Sequence, residues 1–152
     1  MPSRFFKIII VNNSGQTLTY NNNGRINLKI GGASISAARK SIVTSLTDDA
    51  CGFTTGGSLA DGAEILSAVE YDNTSVGYLG YQVQLEITHD EGAAADGTFD
   101  LYVSGGDATG ELVSDASGYD SAELNKLRQI GSLTWHASGV DDEVMRSEVL
   151  SI

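Results

Sequence analysis

The 152-residue chain is poor in the residue types that form disulfides and metal sites. Its single cysteine, Cys51, leaves no partner for a disulfide within the chain, and its two histidines, His89 and His136, are far apart in the sequence. A zinc site needs three or four ligands, usually at short intervals. We therefore expect no metal centre and no cofactor, and we interpret Cys51 as a small buried apolar residue.

Basic residues and long apolar runs are also scarce. Lys and Arg number 9 against 20 Asp and Glu, which gives a formal net charge of -11. A surface of this sign repels phosphate polymers and anionic lipid headgroups. The apolar run RFFKIIIV near the N-terminus is interrupted by Lys7 and is far shorter than the roughly 20 residues of a membrane-spanning helix. We expect no nucleic-acid partner, no signal peptide and no membrane anchor.

The common catalytic motifs are missing as well. The chain has no GxSxG nucleophile turn, and GGDATG lacks both the lysine of a P-loop and the spacing of a dinucleotide fingerprint. Neither of two acidic loops has the spacing of an EF-hand, so we interpret both as solvated loops rather than calcium sites. A glycosidase-type carboxylate pair is the weaker alternative, and we expect no enzyme activity. The acidic loop residues are Asp90, Glu91 and Asp96 in one loop, and Asp141, Asp142 and Glu143 in the other.

Two segments alternate cleanly between apolar and polar residues, as expected of strands whose successive side chains leave opposite faces. In residues 81–88 the apolar face is Tyr81, Val83, Leu85 and Ile87, and the predicted solvent face is Gln82, Gln84, Glu86 and Thr88. Residues 98–104 repeat the pattern, with Phe99, Leu101 and Val103 on the apolar face. The intervening HDEGAAADG carries two glycines suited to a reversal, so the sequence predicts a β-hairpin here.

Weaker patterns of the same kind predict further strands, separated by clusters of Gly, Asn, Asp and Ser. We interpret the Gly-Gly pairs that begin at residues 31, 56 and 105 as turns. No linker or internal repeat divides the chain, so the sequence predicts an all-β fold: a single antiparallel β-sandwich of about eight strands, Ig-like or jelly-roll, over residues 1–152. The further predicted strands are Arg4–Val11, Arg25–Ile30, Ser41–Leu46, Ala63–Glu70, Arg128–Ala137 and Glu143–Ile152.

Two short segments have helical alternatives. Asp61 and Glu64, and Asp120 and Glu123, both have the spacing of a capping box, in which each side chain accepts from a free backbone N–H. The second predicts one short helix at residues 121–128. The first is followed by apolar residues that fit either period, and we interpret it as the start of a strand.

The order of motifs in the middle of the chain carries a family resemblance. DGAEILSAVEYDNTS is followed by YLGYQVQLEI and then by DGTFDLYVSGGD. Asp72, Asn73 and Thr74 match a DN(S/T) turn, residues 101–104 match a G-x-x-x-(L/V)-Y-(V/L) strand, and residues 105–107 reverse the usual Asp-Gly order of the closing turn. The N-terminal KIIIVNNSGQTLTY is similar to an opening strand with an N-x-(S/T)-G-Q-T turn. Together these segments resemble a loosely characterised family of accessory virion proteins of tailed bacteriophages.

The resemblance implies a non-enzymatic, multi-copy particle component that is assembled in the host cytoplasm and docks on other proteins of the capsid or tail surface. Its terminal segments would serve as docking arms, although the same residues are equally suited to be ordinary core strands. The alternative is a carbohydrate- or receptor-binding module at a tail tip or fibre, with tyrosines beside turns or facing outward as the contacts. The candidate assembly residues are Phe5, Phe6, Ile8, Ile10, Val149, Leu150 and Ile152, and the candidate ligand-binding tyrosines are Tyr71, Tyr78, Tyr102 and Tyr119.

Overall fold

The computed structural model describes residues 5–19, 25–35, 41–43, 47–49, 58–66, 71–72, 80–88, 96–106, 127–137 and 143–152. Over these residues the protein is all-β, without a helix, and its sheets are antiparallel, which confirms this part of the predicted fold class. The strands are β1 Phe5–Asn13, β2 Leu18–Thr19, β3 Arg25–Ile35, β4 Ser41–Val43, β5 Thr47–Asp49, β6 Ser58–Leu59, β7 Glu64–Leu66, β8 Tyr71–Asp72, β9 Gly80–Thr88, β10 Gly97–Gly106, β11 Arg128–Trp135, β12 Val144–Arg146 and β13 Leu150–Ser151.

The strands form two larger antiparallel sheets and one small one. The first sheet has the order β11-β10-β1-β7, and β8 also pairs with β1. The second has the order β12-β9-β3-β4, with β13 on β9 and β5 on β3. Three short pairs of strands each follow one longer neighbour: β7 and β8 pair with successive parts of β1, β12 and β13 with β9, and β4 and β5 with β3. If each short pair is counted once, the described part of each larger sheet has four strand positions, eight in all. β2 and β6 form the third sheet.

One hydrophobic core receives side chains from both larger sheets. Alternate residues of β9, Val83, Leu85 and Ile87, are fully buried, as the period of two predicts. In the other sheet, Phe99 of β10 packs edge to face on Trp135 of β11 within the same core. Each such apolar side chain stabilises the fold by roughly 1.5–3 kcal/mol relative to leaving it exposed.

Strand β1 is buried on both faces. Phe6, Ile8 and Ile10 lie in the main core, and Ile9 and Val11 on the opposite face form a second buried cluster. β1 also has neighbours on both edges, with β10 on one side and β7 and β8 on the other. The continuous apolar run KIIIV, in place of alternation, is typical of such a doubly covered strand.

The predicted hairpin is wrong, although both of its strands exist. β9 pairs with β3, β12 and β13, whereas β10 pairs with β1 and β11, so the connection between them passes from one sheet to the other. Alternation reports which side chains are buried, and it does not specify the neighbouring strand. Hairpin loops usually have two to five residues, and this connection is longer, so nothing in its length required the two strands to pair.

The predicted solvent face of β9 also needs correction. Glu86 and Thr88 are 2% and 4% exposed, whereas Gln82 and Gln84 are partly exposed. The polar face is therefore covered at one end of the strand. Polarity alone predicted exposure because a carboxylate is rarely buried without a charged partner, and the sequence does not show that two such partners are adjacent in space.

The Gly31-Gly32 pair lies inside a strand and not in a turn. β3 continues through it to Ile35, with Gly31 opposite Gln82 and Gly32 opposite Tyr81. The residue opposite the large Tyr81 side chain thus has no side chain of its own. Gly105 and Gly106 likewise complete β10, and Gly56 lies outside the described residues.

The helical alternatives have different outcomes. Asp61 and Gly62 form a turn and Glu64–Leu66 is strand β7, which confirms the strand interpretation of that segment. The predicted short helix at 121–128 lies outside the described residues except for its last two positions, where Leu127 precedes a strand that begins at Arg128. The predicted C-terminal strand is divided into β12 and β13.

Candidate functional site

One buried amide side chain holds the turn that follows β1. The Asn12 side chain donates from Nδ2 to the backbone carbonyl oxygens of Gln16, at 2.9 Å, and Leu59, at 2.8 Å. Its Oδ1 accepts from the backbone N–H of Ser14 at 3.0 Å and from the Ser14 hydroxyl at 2.6 Å. Asn12 is 0% exposed, and both of its side-chain polar atoms have two partners. We call residues 12–16 the Asn12 turn.

A neighbouring turn fixes the Asn12 turn from outside. The backbone N–H of Gly62 donates to the Asn12 carbonyl at 2.6 Å, and the N–H of Gly15 donates to Oδ1 of Asp61 at 2.9 Å. Gly15 and Gly62 have φ angles of +75° and +74°, in the left-handed region that glycine adopts without steric cost. The NNSGQT motif of the family resemblance is therefore a structural turn.

Two strand glycines mark close approaches of different kinds. A Cβ on Gly97 of β10 would lie 2.6 Å from the carbonyl oxygen of Ser14 and closer still to its Cα, both backbone atoms. A Cβ on Gly131 of β11 would lie 2.5 Å from Cδ2 of Leu150, the end of a flexible side chain. The contact of Gly97 with the Ser14 backbone is thus rigid, whereas the contact of Gly131 with the Leu150 side chain can adapt.

Most of the predicted assembly residues lie in the core of this chain. Their alternative interpretation, as ordinary strand residues, agrees with where the structure places them, because buried side chains are unavailable to a neighbouring subunit. The C-terminal residues also pair within the chain: Ile152 and Tyr81 exchange two backbone hydrogen bonds, at 2.9 and 3.1 Å. Phe6, Ile8 and Ile10 are buried, Leu150 and Ile152 are partly buried against the core, Phe5 lies in β1, and Val149 is 48% exposed.

The described tyrosines of the alternative ligand site are engaged in packing. The ring of Tyr71 stacks on Phe6 with centroids 4.9 Å apart. Tyr102 packs against the second buried cluster on the far face of β1. Tyr78 and Tyr119 lie outside the described residues. The structure therefore does not bring Tyr71 and Tyr102 together as one exposed aromatic platform.

A buried carboxylate on β9 joins three strands. Oε2 of Glu86 lies 2.7 Å from Nε of Arg146 on β12 and 3.5 Å from Nζ of Lys29 on β3. The Glu86 side chain is 3% exposed, while those of Arg146 and Lys29 are 52% and 27% exposed. Burial of the carboxylate is tolerated because both cations lie within reach. The sequence did not predict this site, because Glu86 lies on the polar face of an alternating strand, where exposure is the usual outcome.

The C-terminal segment follows β9 with one extra residue. Arg146 is opposite Glu86 and Leu150 is opposite Val83, so four steps along the C-terminal segment match three along β9. At this irregularity the backbone N–H of Leu85 donates to Oγ of Ser147 at 3.0 Å, and the Ser147 N–H donates to the Leu85 carbonyl at 2.9 Å. This bulge is the physical reason that the predicted single strand is broken.

A cleft of about 650 Å³ lies between β11 and the C-terminal segment. Within the described part of the chain, β11 pairs only with β10, and β12 and β13 pair only with β9. The cleft therefore separates an outer strand of one sheet from the outer strands of the other. We call it the edge groove; its lining residues are Gly131, Ser132, Thr134, His136, Glu143, Met145, Arg146, Ser147, Glu148 and Leu150.

The edge groove has a polar, weakly acidic character. Oε2 of Glu143 is buried and has no hydrogen-bond partner among the residues that the structure describes. Glu148 adds a second carboxylate, and the guanidinium of Arg146 is already paired with Glu86. Ser132, Thr134 and His136 present exposed side chains along β11. The arrangement suits a ligand that donates hydrogen bonds, because the uncompensated groups of the groove are acceptors.

The acidic-loop residues and histidines that the structure describes do not form a metal site. No group of three His, Cys, Asp or Glu side chains comes together among the described residues. Asp96 accepts from the backbone N–H of Ala137 at 2.6 Å, which ties the start of β10 to the end of β11. His136 is exposed and follows the last residue of β11. His89, Cys51 and the remaining acidic-loop residues except Glu143 lie outside the described residues.

Comparison of the chain with protein-family models, with curated proteins and with solved structures gave no match. No membrane-spanning helix is present among the residues that the structure describes.

Proposed function

We propose that this chain is a non-enzymatic structural component of a tailed-bacteriophage particle, docked as an accessory protein on the capsid or tail surface. In this proposal its two larger sheets pack face to face as a two-layer sandwich. Among the described strands, one layer contains β1, β7 with β8, β10 and β11, and the other contains β3, β4 with β5, β9, and β12 with β13. Counted along the chain, the first layer holds strand positions one, four, six and seven of the eight. An Ig-like sandwich instead groups positions one, two, four and five, so we do not retain the Ig-like form of the prediction.

The observation that carries the proposal is the use of polar side chains in the fold. Asn12, Ser14, Glu86 and Ser147 are all buried, and each is held by hydrogen bonds or ion pairs that join strands or turns. The residues behind the N-terminal part of the phage resemblance belong to this set. In this proposal the N-terminal motif therefore holds a turn of a stable scaffold, which is what an assembly role requires.

The proposal is tested on purified particles of the phage that encodes the chain. We expect mass spectrometry to find the chain at a constant ratio to the major capsid or tail protein. Particles from a deletion mutant should lack the chain and regain it when the purified protein is added. Absence of the chain from wild-type particles would overturn the proposal.

The carbohydrate- or receptor-binding alternative has weaker support, because the two described tyrosines are packed within the chain. A glycan array and a host-cell binding assay with the purified chain separate the two functions. Strong glycan or host-cell binding by the purified chain, together with its location at the tail tip or a fibre of the particle, would favour the alternative.

A further inference from the structure

We propose that the edge groove receives an extended, basic peptide segment of a neighbouring subunit, which adds as a strand beside β11. This inference rests on the proposed function, since it specifies the kind of partner that holds the chain in a particle. Three features of the described residues lead to it: an edge without a strand partner, a groove of suitable length, and a buried carboxylate oxygen without a hydrogen-bond partner.

The first feature is the edge of β11 opposite β10, which pairs with no other strand among the described residues. Natural sheets usually protect such an edge with lysine, proline or a covering element, because its free N–H and C=O groups invite another strand. The span from Gly131 to His136 reads GSLTWH and contains no lysine, arginine or proline. Ser132 and Thr134 face outward with small side chains that leave the edge accessible. An added peptide strand would satisfy these backbone groups.

The second feature is the shape of the groove. From Gly131 to His136 the strand makes five steps, roughly 17 Å at about 3.4 Å per residue, which matches a peptide segment of about six residues. The opposite wall is formed by β12, β13 and the bulge between them, which also have one strand partner each among the described strands. The volume of about 650 Å³ lies within the usual range of ligand pockets.

The third feature is charge. Among the described residues the buried Oε2 of Glu143 lacks a donor, Glu148 lies on the same wall, and Arg146 is paired with Glu86, which it shares with Lys29. A segment carrying Lys or Arg would supply the missing donor and the opposite charge. The net charge of -11 on the whole chain would attract the same partner over longer distances.

The test uses the ¹⁵N-labelled chain and two eight-residue probes, one alternating threonine with lysine and the other alternating threonine with glutamate. The threonine–lysine peptide should shift the backbone amides of residues 131–136 and 143–148, and the threonine–glutamate peptide should not. Glu143→Gln should weaken binding about tenfold, because a charge-assisted hydrogen bond is lost. Thr134→Lys should also weaken binding, while the matched control Thr134→Glu should not. An unchanged spectrum outside the groove establishes that each variant is folded.

Three results would overturn the inference: no shift with the lysine peptide at millimolar concentration, equal binding of both peptides, or shifts that map away from the groove. A neutral oligosaccharide that shifts residues 131–136 when the lysine peptide does not would also overturn it. These outcomes are distinct from failure of the proposed function, because the peptide assay needs no particle. A chain that binds the peptide yet is absent from particles would retain this inference and lose the function.

Discussion

In the Asn12 turn both polar atoms of the central side chain have partners within the chain, whereas in the edge groove a buried oxygen of Glu143 has none. The two regions also differ in their close contacts. At Gly97 backbone lies against backbone, and at Gly131 a flexible leucine side chain lies against a strand. The Asn12 side chain is thus fully paired within its own turn, while at the C-terminal edge one carboxylate oxygen, Oε2 of Glu143, has no partner among the described residues; in our proposal a neighbouring subunit supplies that partner.

We expect the largest loss of stability from removal of the Asn12 side chain. Asn12→Ala leaves the Leu59 carbonyl and the Ser14 N–H without those partners in a buried site, at about 1–3 kcal/mol for each unsatisfied group, while the Gln16 carbonyl keeps the Ser14 hydroxyl as a donor. We expect a loss of about 3 kcal/mol in the free energy of unfolding, measured by urea denaturation. The control is Asn13→Ala, which removes one exposed hydrogen bond to Asp100 and should cost about 0.5 kcal/mol. Equal effects of the two changes would show that the turn is not specially held.

Gly97 and Gly131 test the same comparison, because replacing either glycine with alanine adds one methyl group at a close contact. Gly97→Ala forces two backbone segments apart and should destabilise the fold by about 3 kcal/mol. Gly131→Ala displaces only the end of the Leu150 side chain and should cost about 1 kcal/mol. Thermal unfolding of both variants checks the ranking. A larger loss for Gly131→Ala would contradict the view that the C-terminal edge is the adaptable region.

The ion pairs of Glu86 test how firmly the C-terminal segment is attached. Arg146→Ala removes the shorter contact of a buried carboxylate, and we expect a loss of about 2 kcal/mol, below the full cost for a buried pair because Arg146 is half exposed. Lys29→Ala removes the 3.5 Å contact and should cost about 1 kcal/mol. Chemical denaturation measures both. If Lys29→Ala were the more damaging change, the Arg146 contact would not be the main partner of Glu86.

The smallest expected effect concerns Tyr102 on the outer face of β10. Burial raises the pKa of its phenol above the usual value of 10.0, and the nearby Asp100 carboxylate raises it further. Because the folded-state pKa is raised, this contribution to stability is complete below the unfolded pKa and is lost as the pH rises through the folded value. Ultraviolet titration should show late ionisation that is smaller by one tyrosine in Tyr102→Phe. An unchanged titration curve would place the shift on another tyrosine.

The sequence predicted the strands of this protein better than their pairing. Alternation in β9 and β10 located both strands and their buried faces, because burial repeats every two residues. It could not show that β9 and β10 belong to different sheets, since pairing depends on contacts between residues distant in the chain. Gly31 and Gly32 misled for a related reason: a glycine pair fits a turn, and only the long-range partner Tyr81 places it inside a strand.

The edge groove was less predictable than the fold. Its walls come from β11 and the C-terminal segment, which are strands of different sheets, and no local motif links them. Glu143 was noted as one of a run of acidic loop residues, but its unpartnered oxygen becomes visible only when the opposite wall is in place. The Asn12 turn, in contrast, could be located from NNSG, because its Asn, Ser and Gly residues are local turn formers.

The most direct test of the account is photo-crosslinking of purified particles that carry a small diazirine amino acid at position 134 in the edge groove. A matched control carries the same group at the exposed position 13, which lies at the Asn12 turn. If the edge groove holds a basic segment of another virion protein, we expect a crosslink from position 134 to that segment, and little or none from position 13. Particles that contain the chain but give no crosslink from position 134, or give one only from position 13, would contradict it.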